Sequence, residues 1–342
     1  MSLSISWRLS SAPDALASGE PPPFGAWVQL AQAAEYAGLE GLFIPSAPGN
    51  PESFTVAAAL CAHTTRLTLT TSFPSEVMLP AALAAAAHSL QSISHNRLRL
   101  HLLDGEHSSV RRVFGDLLNR DQRNERSGEY LRILAHLLDP ASAPLDFAGQ
   151  YFHLENAGLP PRQPLPLLLD EAQSPGLIAA YADQCLLQAQ HPQRLGATIT
   201  RLRALASQQG RDLTFATSLG LIVRDDAAQA WAAADAWLEQ QRHSLTLPSG
   251  YGDASVLEFA ASPARRFEIY PNLWRPSPRL PLLLVGSVEQ VAGRLEELHG
   301  LGISHVVLQG LPAVREILRV GEDLLPRLRA RGVITEVHAH GH

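Results

Sequence analysis

The chain has 342 residues, of which 46% are hydrophobic and 18% charged, and a formal net charge of -6 at pH 7. That composition excludes a disordered chain and supplies a sizeable core. The acidic balance leaves no basic face for nucleic acid or an anionic membrane. Every cation is an arginine or histidine, because the chain contains no lysine. Schiff-base and lysine-base chemistry are thereby excluded. Two cysteines, Cys61 and Cys185, lie in apolar segments and are expected as buried thiols of a cytoplasmic protein rather than a disulfide. No secretion signal is expected from the N-terminal stretch MSLSISWRLSS, and no stretch is long and apolar enough for a membrane span.

Strand and helix patterns alternate along the chain. LSISWRL begins as a strand, and FGAWVQLAQAAEYAGL follows with helical periodicity and stops at Gly38. EGLFIPS, RLTLTTSF and RLRLHLLDG read as strands, separated by the helices PESFTVAAALCAHT and LPAALAAAAHSLQSIS. DQRNERSGEYLRILAHLLDP is an amphipathic helix ended by Pro140. The stretch 143–158 reads as a hairpin in which Asp146–Phe147 and Tyr151–His153 pair across Ala148–Gly149–Gln150.

The second half repeats the pattern. PLLLDE, QCLLQA, LTFATSLGLIVRD and HVVLQG are strands. The helices are PGLIAAYA, HPQRLGATITRLRALASQQG, DAAQAWAAADAWLEQQ, VEQVAGRLEELHGLG and a closing VREILRVGEDLLPRLRA. About eight strand–helix units with apolar strands predict a single (β/α)8 barrel over 1–335, with a flexible His-rich tail at 336–342. An open doubly wound sheet is the alternative, but no glycine-rich phosphate turn follows the first strand. Residues 242–266, rich in Ser, Gly and Pro, are expected to form a lid or a mobile loop.

Barrel chemistry sits at the C-terminal ends of strands, which selects the candidate residues. Arg275 and Arg279 stand on a segment stiffened by Pro276, Pro278 and Pro281, as an anion clamp would. Asp104, Glu106 and His107 follow the fourth strand, where an Asp and a His could serve as base and orienter. Asp170 and Glu171 end the fifth as a potential acid/base pair or weak metal site. Trp7 and Trp274 read as packing, and His88, His95 and His101 as structural.

Several of these stretches together resemble the bacterial-luciferase-like flavin monooxygenases, and within them the two-component alkanesulfonate monooxygenases. LAQAAEYAGLEGLFIPS is similar to that family's first helix and second strand, DFAGQYFHLENA to its hairpin, and EIYPNLW to a motif of the sulfonate branch. LVGSVEQVAGRLEELHGLGISHVVLQGLP and RVGEDLLPRL are similar to its last strand and helices. The resemblance implies a barrel that binds reduced FMN at its C-terminal face, beside a small anionic organosulfur substrate. It implies cofactor contacts at Ser46, Asp104, Gly105, Gln173 and Ser174, and catalytic roles for Arg275, Arg279, Asp104 and His107. A flavin reductase and a second subunit, as homodimer or heterodimer with a paralogue, are the implied partners.

The chain departs from the family pattern where the chemistry lies. Asp170 and Glu171 fall in the turn that should receive a phosphate, and no glycine precedes Ser174. Ser218 and Gly220 fall where the family has an arginine and a histidine; Ala12, Asn50, Arg120, Asn124 and Leu311 replace further functional residues. FMN binding is therefore expected to be weak or absent. The alternative to an active monooxygenase is an altered subunit that keeps the fold, or new flavin-free chemistry on Asp104, His107 and the strand-five carboxylates.

Overall fold

The computed structural model of the protein describes residues 2–9, 24–46, 51–103, 115–159, 163, 165–245, 267–276, 280–310 and 313–335. The expected lid, apart from the first residues of 242–266, and the tail at 336–342 lie outside the described residues.

Eight parallel strands close into a barrel: β1 (Ser4–Arg8), β2 (Gly41–Ile44), β3 (Thr68–Pro74), β4 (Leu98–Leu103), β7 (Leu167–Asp170), β8 (Gln184–Gln188), β9 (Thr214–Arg224) and β13 (Ile303–Gln309). They pair in that order, and β13 returns to β1, with Trp7 opposite Leu308. Helices α1 (Phe24–Tyr36), α2 (Ser53–Cys61) and α3 (Pro80–Ile93) cover the first strands, and α4 (Arg120–Leu138) packs on α3. Helices α5 (Pro175–Tyr181), α6 (Pro192–Gln208), α7 (Ala227–Leu245) and α8 (Val288–Gly300) follow the later strands. The outside of each strand thus meets apolar helix faces, and the predicted barrel is present.

The interior is layered because every second residue of a strand points inward. The lowest layer is polar. His305 of β13 lies between Gln184 of β8, 3.1 Å from its Nδ1, and Ser6 of β1, 2.8 Å from its Nε2. Phe43, Leu186, Ala216 and Val307 form an apolar layer above it. One alternation further along the same strands come Arg8, Gln188, Ser218 and Gln309, which line the mouth.

Three features depart from the predicted elements. The hairpin pairs Leu145–Ala148 (β5) with His153–Ala157 (β6), Ala148 opposite His153, so its turn is 149–152. The carboxylate of Glu129 on α4 accepts from the backbone N–H groups of Gln150, Tyr151 and Phe152. A Cβ at Gly149 would stand 2.3 Å from that carboxylate, and Tyr151 donates its hydroxyl proton to Glu125. The closing helix is broken into α9 (Ala313–Arg319), a wide π turn (Val320–Leu324) and α10 (Leu325–Ala330). Pro326 has no N–H to continue the α-helical ladder, so the preceding turn widens and Leu325 N–H reaches Val320 O.

The third departure is a set of strands not anticipated after residue 266. β10 (Glu268–Tyr270) and β11 (Leu273–Trp274) form a small hairpin that pairs with β12 (Leu283–Ser287). β12 runs parallel to the upper half of β9. The EIYPNLW motif builds this corner. Asn272 takes a left-handed turn (φ 68), donates its backbone N–H to the Glu268 carboxylate and its side-chain amide to Val285 O. Trp274 is fully buried between Trp231 and Trp237. The motif is architecture, and Trp274, like Trp7, is closed to any ligand.

At Gly220, which stays paired with Gln309 of β13, the other edge of β9 passes from β8, last paired at Ser218 with Gln188, to Leu283 of β12. A Cβ there would lie 2.7 Å from Leu283 Cγ, inside the Trp231–Trp274 cluster. Gly220→Ala should therefore cost about 1–3 kcal/mol through overpacking, read as a lower urea midpoint, whereas Ser218→Ala at the open mouth should change little. Unchanged stability of Gly220→Ala would mean that Leu283 gives way freely.

Burial, and secondarily Arg99, push the His305 imidazole down to about 3. The unfolded chain binds this proton below about pH 6.5 and the folded chain does not. Its neutral burial is fully compatible with folding above pH 6.5, and stability is lost as pH falls from there towards 3, at up to about 1.4 kcal/mol per pH unit. Urea midpoints of wild type and His305→Gln measured from pH 7.5 to 4.5 should diverge by one proton's slope; parallel curves would refute it.

Candidate functional site

Beyond the apolar layer, the C-terminal ends of the strands open into a cavity of about 830 Å³. That is ample for a drug-sized organic molecule. It runs from Arg8, Asp170, Ser218 and Gln309 on the barrel axis, over the end of β8, to Thr198 and Arg201 on α6. A smaller hollow of about 340 Å³ at the opposite end, by His88 and His95, carries no charged cluster.

The floor of the mouth is a chain of charged and polar groups. Arg8, last residue of β1, stacks its guanidinium 5.4 Å above the Phe43 ring. Burial lowers its pKa from the ordinary arginine value, and the charge of Asp170 works in the opposite direction. Asp170, last residue of β7, brings Oδ1 within 3.2 Å of His101 Nε2, a close pair that is not aligned for a hydrogen bond. The His101 side chain is 1% exposed and that of Asp170 23%. On its other side His101 Nδ1 meets Ser72 Oγ at 2.9 Å, and its ring packs on Phe43 at 5.0 Å. His101, read from the sequence as structural, thus backs Asp170, a carboxylate that lines the cavity. Burial, then Glu171 and Asp170, push the nearby Cys185 thiol up, so those carboxylates make the β7 end negative.

Arg275 forms the opposite wall. Its Nη2 donates to Ala189 O at 2.9 Å, while its Nε is buried without a hydrogen-bond partner. Gln173, in the turn between the lining residues Ala172 and Pro175, is 2% exposed with neither amide oxygen nor nitrogen partnered. Each such orphan costs about 1–3 kcal/mol until something binds it. Of the eight buried side-chain atoms without hydrogen-bond partners among the described residues, four belong to His101, Gln173 and Arg275. Arg275 lines the cavity, while His101 stands behind the lining residue Asp170 and Gln173 follows the lining residue Ala172.

The candidates from the sequence divide accordingly. Arg275 lines the cavity. Gln173 is at its edge, and Ser174 uses its hydroxyl to cap α5 at Leu177 N–H. Ser46, two residues beyond β2, is not among the lining residues. Arg279, Asp104, Gly105, Glu106 and His107 lie outside the described residues, as do Ala12, Asn50 and Leu311. Arg8 and His101 were missed as site residues. The signal that could have found them is a polar residue at every second place in otherwise apolar strands.

The turn after β7 was tested for its fit to the phosphate of FMN. Asp170 and Glu171 both line the cavity there, and the Ser174 hydroxyl is engaged in its cap. A phosphate oxygen about 4 Å from a carboxylate is repelled by about 4 kcal/mol at an effective dielectric of about 20. The turn does not fit a phosphate. The side lined by Arg275 and Arg201 does fit an anion.

The sequence profile of the family described as luciferase-like monooxygenase matches residues 1–305. Among solved structures, the EDTA monooxygenase EmoA from Chelativorans sp. BNC1 superposes with a TM-score of 0.75 at 17% identity, covering 98% of this chain and 95% of that one. DmoA from Hyphomicrobium sulfonivorans gives 0.77 at 16% identity, covering 100% and 91%. The coenzyme F420 dependent tetrahydromethanopterin reductase from Methanopyrus kandleri gives 0.72 at 17% identity, covering 96% and 100%. These likenesses are of fold.

An anion on Arg275 should stabilise the protein against heat. Sulfate or ethanesulfonate at about a hundredfold excess over its dissociation constant should add about 2.7 kcal/mol. Arg275→Ala should abolish the gain. Equal stabilisation of wild type and variant would mean general salting and no site.

Proposed function

Because the chain belongs to the luciferase-like monooxygenase family, we propose that its mouth is the active site of an oxidoreductase acting on a small organic anion, such as an organosulfur acid. The observation that carries this reading is that the charged side chains of Arg8, Asp170, Glu171, Arg201 and Arg275 line one cavity at the C-terminal ends of the strands.

In this reading Arg275, fixed by its bond to Ala189 O, and Arg201 hold the anion, and the unpartnered Arg275 Nε gains an acceptor. The Phe43, Leu186, Ala216 and Val307 layer keeps water from reaching the substrate through the barrel. Asp170 is the proton acceptor within reach of the cavity, held between Arg8 and His101. Asp170 and Glu171 in the β7 turn disfavour the phosphate of FMN there.

A second reading, an altered subunit that keeps the fold, is favoured by the two carboxylates in that turn. Fluorescence titration with FMN and reduced FMN, with and without a short sulfonate, separates the two. We expect weak or no binding of FMN alone, with the sulfonate bound. A dissociation constant for FMN in the low micromolar range or tighter would restore the ordinary flavin enzyme. Failure to bind either ligand would favour the altered subunit.

A further inference from the structure

The mouth is charged at both ends, and the signs are opposite. Among the described residues, five charged side chains line it. Arg8, Asp170 and Glu171 at the β7 end sum to -1, and Arg275 and Arg201 at the other end to +2. A simple anion uses only the second end and meets repulsion at the first.

The distance between the ends follows from register. Asp170 lies opposite Leu186 on β8. Ala189, whose carbonyl holds Arg275, is three residues further along the same strand direction. At about 3.3 Å per residue the guanidinium stands roughly 10 Å beyond the carboxylate level. About 3 Å of hydrogen-bond reach at each end leaves roughly 4–5 Å between the ligand's own charged groups. Asp170 is the floor carboxylate with access to this space, since its side chain is 23% exposed while His101 behind it is 1% exposed.

We propose that the mouth takes an amphoteric ligand, an ammonium compound carrying an oxyanion about two or three carbons away, with the ammonium on Asp170 and the oxyanion on Arg275. This refines the substrate class of the proposed active site and rests on that reading. Glu171 adds to the negative end, and Arg8 and Asp170 line the same floor.

The test compares 3-aminopropanesulfonate with propanesulfonate by calorimetry on the full chain. A charge-assisted contact to Asp170 should make the amino compound about tenfold tighter in wild type. Asp170→Asn should remove that advantage while leaving propanesulfonate unchanged or slightly tighter, and Arg275→Ala should weaken both ligands. Should Asp170→Asn fail to fold, Glu171→Gln should narrow the preference, and the wild-type ratio alone still decides. Equal affinity of the two sulfonates would overturn the amphoteric ligand and leave the anion site standing. Binding of neither would remove the anion site as well.

Discussion

The inward alternation of the eight barrel strands is the constraint on which the rest of this molecule depends. With a period of two, one strand contributes to a polar base, an apolar middle and a polar mouth within five residues. Gln184, Leu186 and Gln188 do so on β8, and His305, Val307 and Gln309 on β13. The apolar layer is thin, four side chains deep in one plane, yet it separates two polar regions that would otherwise share water. Below it His305 is buried and neutral; above it Arg8 loses solvation and stacks on Phe43. A slip of one residue in any strand would exchange its inward and outward faces and bring charge into the seal.

That seal also sets the electrostatics of the mouth. Charges at its floor interact through a medium of lower effective dielectric than water, so Arg8 and Asp170 act on each other more strongly than surface groups would. A carboxylate so held is a poor neighbour for a phosphate and a good one for a cation or a transferable proton. The same residue therefore accounts for the misfit to FMN and for the opposite polarity of the two ends.

Much of the fold was legible in the sequence because strands buried on both faces read as apolar runs and helices carry caps. Gly38 ended the first helix as expected, and the hairpin announced itself through Gly149 and Tyr151. The corner around β12 was not legible, since its strands are short and joined by prolines, and their pairing to β9 depends on tertiary contact with the Trp231–Trp274 cluster. In the site, Arg275 was visible from its stiff, basic setting. Arg8 and His101 were hidden by an opposite effect. Each stands among apolar residues, so SISWR and LRLHLL read as core strands, although it is their polar members that point to the axis. Asp170 was seen as an intrusion into a phosphate turn and, with Glu171, as a potential acid/base pair or weak metal site; its partner on β4 could come only from the barrel's closure.

The motifs that survive from the family are those with many simultaneous partners. Glu129 accepts three backbone N–H groups, Asn272 ties β10 to β12 at two points, and Trp274 fills the centre of a tryptophan cluster. Altering any one removes several contacts at once and destabilises the chain whatever ligand it serves. Site side chains are held by few: that of Arg275 by one described hydrogen bond, that of Gln173 by none. They are free to change with little effect on folding, and so they follow the ligand. Gly220 joins the two classes. A side chain at this position would place its Cβ 2.7 Å from Leu283 Cγ, so any larger residue there requires Leu283 to shift. Packing where β9 meets β12 thus limits which side chain the end of this strand can present to the mouth.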